Sequence, residues 1–220
     1  MYHLKIHTMK KFHLLLTLIL VSVTSVAQKN GYEDSMLNTL EMLNQASGHE
    51  SYLQCAGRFE RIALAEKNRW IPYYYASYSL TILSFDEPDG EKRDALLDRA
   101  QGLLDSALTI APGESELHVL QAFIYPSRII VDPMARGMMY MEKCFTSLET
   151  AKALNPENPR AYYLEAVNKL NMPVAMGGGP EVARSVFQEA DGKFRAFHAE
   201  DPLWPAWGEE TNRAELEKLQ

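Results

Sequence analysis

Cysteine is nearly absent from this sequence: Cys55 and Cys144 are the only two. A pair offers at most one disulfide. Histidine is sparse as well, and His49, His118 and His198 stand singly without metal-ligand spacing. No G-x-S-x-G, no H-E-x-x-H and no cysteine beside a candidate base occurs. Acids are plentiful, but runs such as "DGEKRDALLDRA" set them beside Lys and Arg, the pattern of a solvated helix face. The chain is therefore expected not to be an enzyme, with no cofactor and no metal ligands. Positive charge is scarce too, with 22 Lys and Arg against 29 Asp and Glu. Nucleic-acid binding is disfavoured, because no basic face forms without a larger acidic one elsewhere. Long alternation of apolar and polar residues is missing, so strands are not expected.

The first thirty residues do hold one apolar run. "MKKFHLLLTLILVSVTSVAQ" begins at Met9, with Lys10 and Lys11 ahead of the apolar segment Leu14–Val23. Ser25 and Ala27 place small residues where a signal peptidase cuts before Gln28. The run is too short for a membrane span, so residues 1–27 read as a secretory signal peptide starting at Met9, with an uncleaved anchor as the alternative. No cysteine follows the run, which argues against lipoprotein processing. Residues 28–220 then form one domain of about 190 residues, exported to the periplasm or beyond. Loss of Lys5, Lys10 and Lys11 leaves it 19 basic against 29 acidic residues, a net charge of −10.

What the sequence does have is a repeat. "ALTIAPGESELHVLQA" (Ala107–Ala122) and "AKALNPENPRAYYLEA" (Ala151–Ala166) match in Ala, Pro, Leu and Ala, 44 residues apart. Just upstream, Ala100, Leu104, Ala107 and Pro112 share their spacing with Cys144, Leu148, Ala151 and Pro156, and with Ala190, Phe194, Phe197 and Pro202. Ala56, Glu60, Ala63 and Asn68 form a degraded first copy. Steps of four and three put the first three members on one helical face, and small residues there admit a neighbouring helix. Proline five residues later cannot continue the helix and marks a turn.

The pattern small-x3-aromatic/Leu-x2-Ala-x4-Pro resembles the second helix of a tetratricopeptide (TPR-like) repeat. First-helix signals are fainter: Tyr74 with Tyr78, Tyr162 with Ala166, and Trp204, Trp207 and Gly208 as the opening of a further helix. The resemblance implies an all-α, right-handed α-solenoid of antiparallel helix hairpins, with about four repeats and a C-terminal capping helix, of an exported type with elongated repeats. Standard repeats run about 34 residues. The excess falls in the connectors "SFDEPDGEKRDA", "PSRIIVDPMARG" and "NMPVAMGGGPEVA". Expected helices are Asp34–Ala46, Ser51–Glu66, Pro72–Ser84, Lys92–Thr109, Ser115–Tyr125, Ala135–Leu154, Pro159–Leu170, Glu181–Ala199 and Trp204–Leu219.

The register places the two cysteines two repeats apart. Stacked helices lie about 8–10 Å apart, which puts Cys55 and Cys144 beyond disulfide reach as buried thiols. The triple glycine Gly177–Gly179 lacks the Lys-Ser/Thr of a phosphate loop and follows a helix, so it reads as a hinge ahead of Pro180.

First helices line the inner surface of such a solenoid. Consecutive aromatics in "WIPYYYASY" and "RAYYLEA" cannot all face one way; they either line a groove or fill the core. Candidate groove residues are Tyr75 and Tyr163, with Glu116, Arg160 and Asn171 placed by the family pattern. Two functions stay open. The resemblance implies an adaptor that binds a protein or peptide partner on the repeat surface. The alternative is a small-molecule carrier, similar to exported repeat subunits of tripartite transporters. A deep pocket near Tyr75 or Tyr163 favours the carrier, and a shallow open groove favours the adaptor.

Overall fold

A computed structural model describes residues 31–199 and 201–219. The expected signal peptide lies outside them. The described chain is helical: α1 (residues 31–44), α2 (His49–Ala65), α3 (Trp70–Asp86), α4 (Gly90–Ile110), α5 (Ser115–Val131), α6 (Pro133–Leu154), α7 (Pro159–Asn171), α8 (Pro180–Ala196) and α9 (Glu209–Lys218). Consecutive helices from α2 onward pack as neighbours. In addition α3 touches α5, and α5 touches α7. The first helices of successive hairpins thus form a row of their own, as a repeat stack requires. No described helix is long and apolar enough to cross a membrane.

The small residues sit where helices meet. Ala56, Ala100, Cys144 and Ala190 have no exposed surface, nor do Ala63, Ala107 and Ala151. The second helices α4 and α6 end the same way. Ala111 N–H donates to Ala107 O at 2.9 Å, and Asn155 N–H to Ala151 O at 2.9 Å. Glu114 N–H then closes on Ala111 O and Asn158 N–H on Asn155 O, both at 3.1 Å. Both cysteines are buried and free. Burial pushes the Cys144 thiol up to about 12, so it stays protonated and inert.

The extra length lies mostly in helix rather than loop. Residues 87–89 alone join α3 to α4, and Asp132 alone joins α5 to α6. The boundary expected at Tyr125 fails because α5 runs through Pro126. Proline has no N–H to offer the carbonyl four residues back. That carbonyl, Ala122 O, instead accepts from Cys144 Sγ of α6 at 3.4 Å. A second departure is at the C-terminus. The helix expected from Trp204 begins only at Glu209. Pro202 and Pro205 interrupt the segment, and Gly208 adopts φ 103°, a left-handed conformation that ends any helix arriving from before it.

The connector between α7 and α8, residues 172–179, is longer than these, and its three glycines differ in purpose. Gly177 has φ 83° after the short 3-10 turn Val174–Met176. Gly179 has φ 100° and donates its N–H to Lys169 O at 2.8 Å, tying the turn to α7. Gly178 is needed for space: a Cβ there would stand 2.3 Å from Met172 O and 2.7 Å from Lys169 O. Pro180 then opens α8. Gly178→Ala is expected to cost roughly 2–3 kcal/mol, because the clash is with backbone. Gly177→Ala, with open space around its Cβ, should cost only about 1 kcal/mol of left-handed strain. Urea unfolding of the two variants checks the order.

Candidate functional site

The site begins with the unusual sequence of α3, "WIPYYYASYSLTILSFD", which is buried on nearly all sides. Three neighbouring helices, α2, α4 and α5, surround it, and a helix apolar all round belongs in such a place. Except at Ser77, whose buried Oγ has no partner among the described residues, its serine and threonine hydroxyls are satisfied locally. Ser79 Oγ donates to Tyr75 O at 2.7 Å and Thr81 Oγ1 to Ser77 O at 2.8 Å. The Ser84 and Ser127 hydroxyls meet at 2.8 Å, joining α3 to α5.

Trp70, Tyr74, Tyr78 and Phe85 recur at steps of four, four and seven, so they share one face of α3. With two partners they form a continuous row of rings. Phe85 lies 5.4 Å from Phe123 of α5, and Phe123 lies 6.0 Å from Tyr78. Tyr78 stacks on Tyr74 at 6.1 Å with 7° between planes. Tyr74 meets Trp70 edge-on at 5.9 Å, and Trp70 lies 6.5 Å from Trp204. Such contacts contribute beyond their buried area, and rings fixed this way form a rigid apolar wall.

Two cavities flank the row. One, of about 360 Å³, lies between α1, α2, α3 and residues 202–207; Leu40, Tyr52, Tyr75, Tyr78, Trp204 and Trp207 line it. The other, of about 500 Å³, lies between α3, α5, α6 and α7; Phe85, Phe123, Pro126, Met141, Leu164 and Asn171 are among its walls. Both volumes fall in the range of small-molecule sites. Residues 201–208 form a non-helical strap along the row. Leu203 is 2% exposed and anchors the strap in the core shared with α1–α5. Trp207 lines the smaller cavity and lies on one wall residue of each, Tyr78 of the smaller and Phe123 of the larger. Its indole stacks on Tyr78 at 5.3 Å and on Phe123 at 5.7 Å, and its Nε1–H donates to Tyr74 Oη at 2.8 Å. Burial, reinforced by the Glu116 carboxylate, pushes the Tyr74 and Tyr75 phenols well above their ordinary pKa. Burial does the same to Tyr78.

The residues expected in the groove fall into three places. Tyr75 lines the smaller cavity and Asn171 the larger. Tyr163 lines neither cavity; its ring meets Trp207, a wall of the smaller one, edge-on at 6.2 Å, and Phe194 at 6.4 Å. Glu116 and Arg160 are brought together, but away from both cavities. Arg160 Nε donates to both Glu116 carboxylate oxygens at 2.9 Å, and its Nη2 lies 2.7 Å from Oε1 without a hydrogen-bonding approach. Their side chains are 1% and 4% exposed, and the guanidinium lies 4.6 Å over the Phe197 ring. The repeat explains this pairing: the two residues are 44 apart, hence equivalent positions on adjacent first helices, where opposite charges meet in the packing layer. Tyr78, Phe85, Phe123 and Trp207 were not foreseen as site residues. The aromatic spacing along α3 carried the available signal.

Comparison with solved structures adds two relatives. The chain is similar to the HusA haemophore from Porphyromonas gingivalis, at 28% identity and a TM-score of 0.78, over 86% of this chain and 92% of that one. It is also similar to a thermophilic TPR protein of Thermus thermophilus, at 16% identity and a TM-score of 0.55, over 89% and 94% of the two chains. The second likeness bears on fold alone. No protein-family model and no curated protein matches. The fold is that of a TPR-like helical-repeat protein.

Removing one member of the buried ion pair strands the other in a dry layer. Arg160→Met is expected to cost roughly 3–5 kcal/mol, and Glu116→Leu combined with Arg160→Met to recover most of that loss. Denaturant unfolding of the single and double variants measures both.

Proposed function

We propose that this protein carries a planar, largely apolar macrocycle of the haem and porphyrin class on its aromatic row. The observation that carries the reading is the row itself, six rings from Phe85 to Trp204 with a cavity on either side. A flat ligand gains most where flat rings are already fixed, since little ordering is left to do on binding. The likeness to a haemophore over most of both chains supports the same cargo. Export, expected from residues 9–27, belongs to this proposal, as does a non-catalytic role.

Ring contact rather than iron ligation is the main source of affinity in this reading. The smaller cavity offers tyrosines, and burial holds Tyr75 and Tyr78 protonated, which opposes phenolate binding to ferric iron. In the larger cavity Met141 is a soft donor. Metal-free and iron-loaded rings should therefore bind comparably.

A protein partner, the adaptor reading, has a separate observation behind it. Met134 and Met138 are 96% and 75% exposed. With Met141 and Phe145 they share one face of α6. Phe145 is covered by Lys169 of α7 at 5.0 Å, but α7 ends at Asn171, so the N-terminal turns of α6 extend past it. Exposed methionines suit adaptable protein contacts, and a carrier that delivers its cargo needs a receiver.

Titration of the exported chain with haemin and with metal-free protoporphyrin IX should show saturable one-to-one changes in the ring's absorbance, and Tyr78→Ala should weaken binding roughly three- to tenfold. Absence of saturable binding to either ring sinks the carrier reading. For the adaptor, Met134→Lys with Met138→Lys should leave porphyrin affinity unchanged while abolishing retention of an envelope protein captured by the wild type. Equal retention by both forms counts against a partner on α6.

A further inference from the structure

We propose that Trp207 occupies the cargo's own stacking place, and that a planar macrocycle binds on Tyr78 and Phe123 by displacing the Trp207 indole and joining the two cavities into one groove. The inference rests on the carrier reading and adds how the site is closed and opened.

Trp207 behaves as an internal stand-in for a flat ligand. Its ring lies nearly parallel to both floor rings, 27° from Tyr78 and 26° from Phe123. It covers the Tyr78–Phe123 part of the row, where Tyr78 is a wall of the 360 Å³ space and Phe123 a wall of the 500 Å³ space. A macrocycle is wider than an indole. Neither cavity gives it the whole row while Trp207 is seated, because Tyr78 and Phe123 are then already stacked on.

The strap is built so that this one side chain can leave. Its ends are fixed. Trp204 N–H bonds Asp201 O at 3.0 Å and Leu203 is buried at one end; Asn212 N–H bonds Gly208 O at 2.8 Å at the other. Asn212, fully buried, further pins α9 through Nδ2 to Phe187 O at 3.2 Å. Between these anchors Ala206 and Trp207 make no backbone hydrogen bond among the described residues. Trp207 is held by its ring contacts and by the single bond to Tyr74 Oη. Leaving therefore breaks side-chain contacts and no helix. Gly208 fits the same design: its left-handed φ of 103° turns the chain sharply into α9, with Phe194 Cζ 3.0 Å from where a Cβ would be. The turn is thus braced while the residue before it is free to swing.

The consequence is competition. Every contact Trp207 makes with the row in the free protein is one the cargo must replace, so the indole lowers apparent affinity and sets a threshold for loading.

Trp207→Ala should bind metal-free protoporphyrin IX about tenfold more tightly than the wild type, and Trp207→Phe, which keeps a ring but loses the bond to Tyr74, should fall between them. In the labelled wild type, cross-relaxation between the Trp207 and Tyr78 rings should be present without porphyrin and lost at saturation. This second readout does not depend on a variant folding. Unchanged or weaker binding by a folded Trp207→Ala overturns the displacement, as does persistence of the Trp207–Tyr78 contact in the complex. If the wild type binds and the variant is no tighter, the carrier reading stands and the displacement fails. If neither binds, the carrier reading fails with it.

Discussion

Everything in this molecule depends on how closely its second helices can approach their neighbours. Two positions per repeat set that distance. Ala100 and Ala107, then Cys144 and Ala151, are small and fully buried, and a larger side chain at any of them would push a layer away. Because the layers are held at one spacing, residues 44 apart come face to face. Ser115 and Asn158, nearly one repeat apart, hydrogen-bond at 3.0 Å. Glu116 and Arg160 close the same layer with charge. The row of first helices is the other product of this spacing, and α3 lies within it with rings along one face.

The aromatic row is therefore an outcome of the stack rather than a separate module. α3 is enclosed by α2, α4 and α5, so the rings of Tyr74, Tyr78 and Phe85 cannot reorient freely. Phe123 reaches them from α5, and that helix runs on through Pro126 because Cys144 supplies the donor that the missing N–H does not. One buried thiol thus serves three ends: a small contact, a hydrogen-bond donor, and support for the helix that carries a ring of the site.

The repeat, its register and the helix pairs were legible because they depend on local periodicity, which a sequence displays directly. Glu116 and Arg160 were legible as equivalent positions, yet their burial was not, since periodicity says which residues are neighbours and not which side of the layer is dry. Tyr75 was visible as one of several consecutive rings, whereas the row itself required knowing which face of α3 meets α5. Trp207 was the least legible. Locally it reads as the opening of a helix with Trp204 and Gly208. Its actual partner, Tyr74, is 133 residues away, and a contact at that separation leaves no local pattern. Pro126 misled in the same sense: the rule that proline ends a helix is local, and the compensating donor comes from another element.

The central claim is that the row from Phe85 to Trp204 is where a flat cargo lies. A structure of residues 28–220 crystallised with protoporphyrin IX tests it most directly. The account predicts a macrocycle on the faces of Tyr78 and Phe123 at about 3.5–4 Å, reaching into both cavities. A macrocycle bound on the outer surface of the second helices, with the row and Trp207 unchanged, would contradict it.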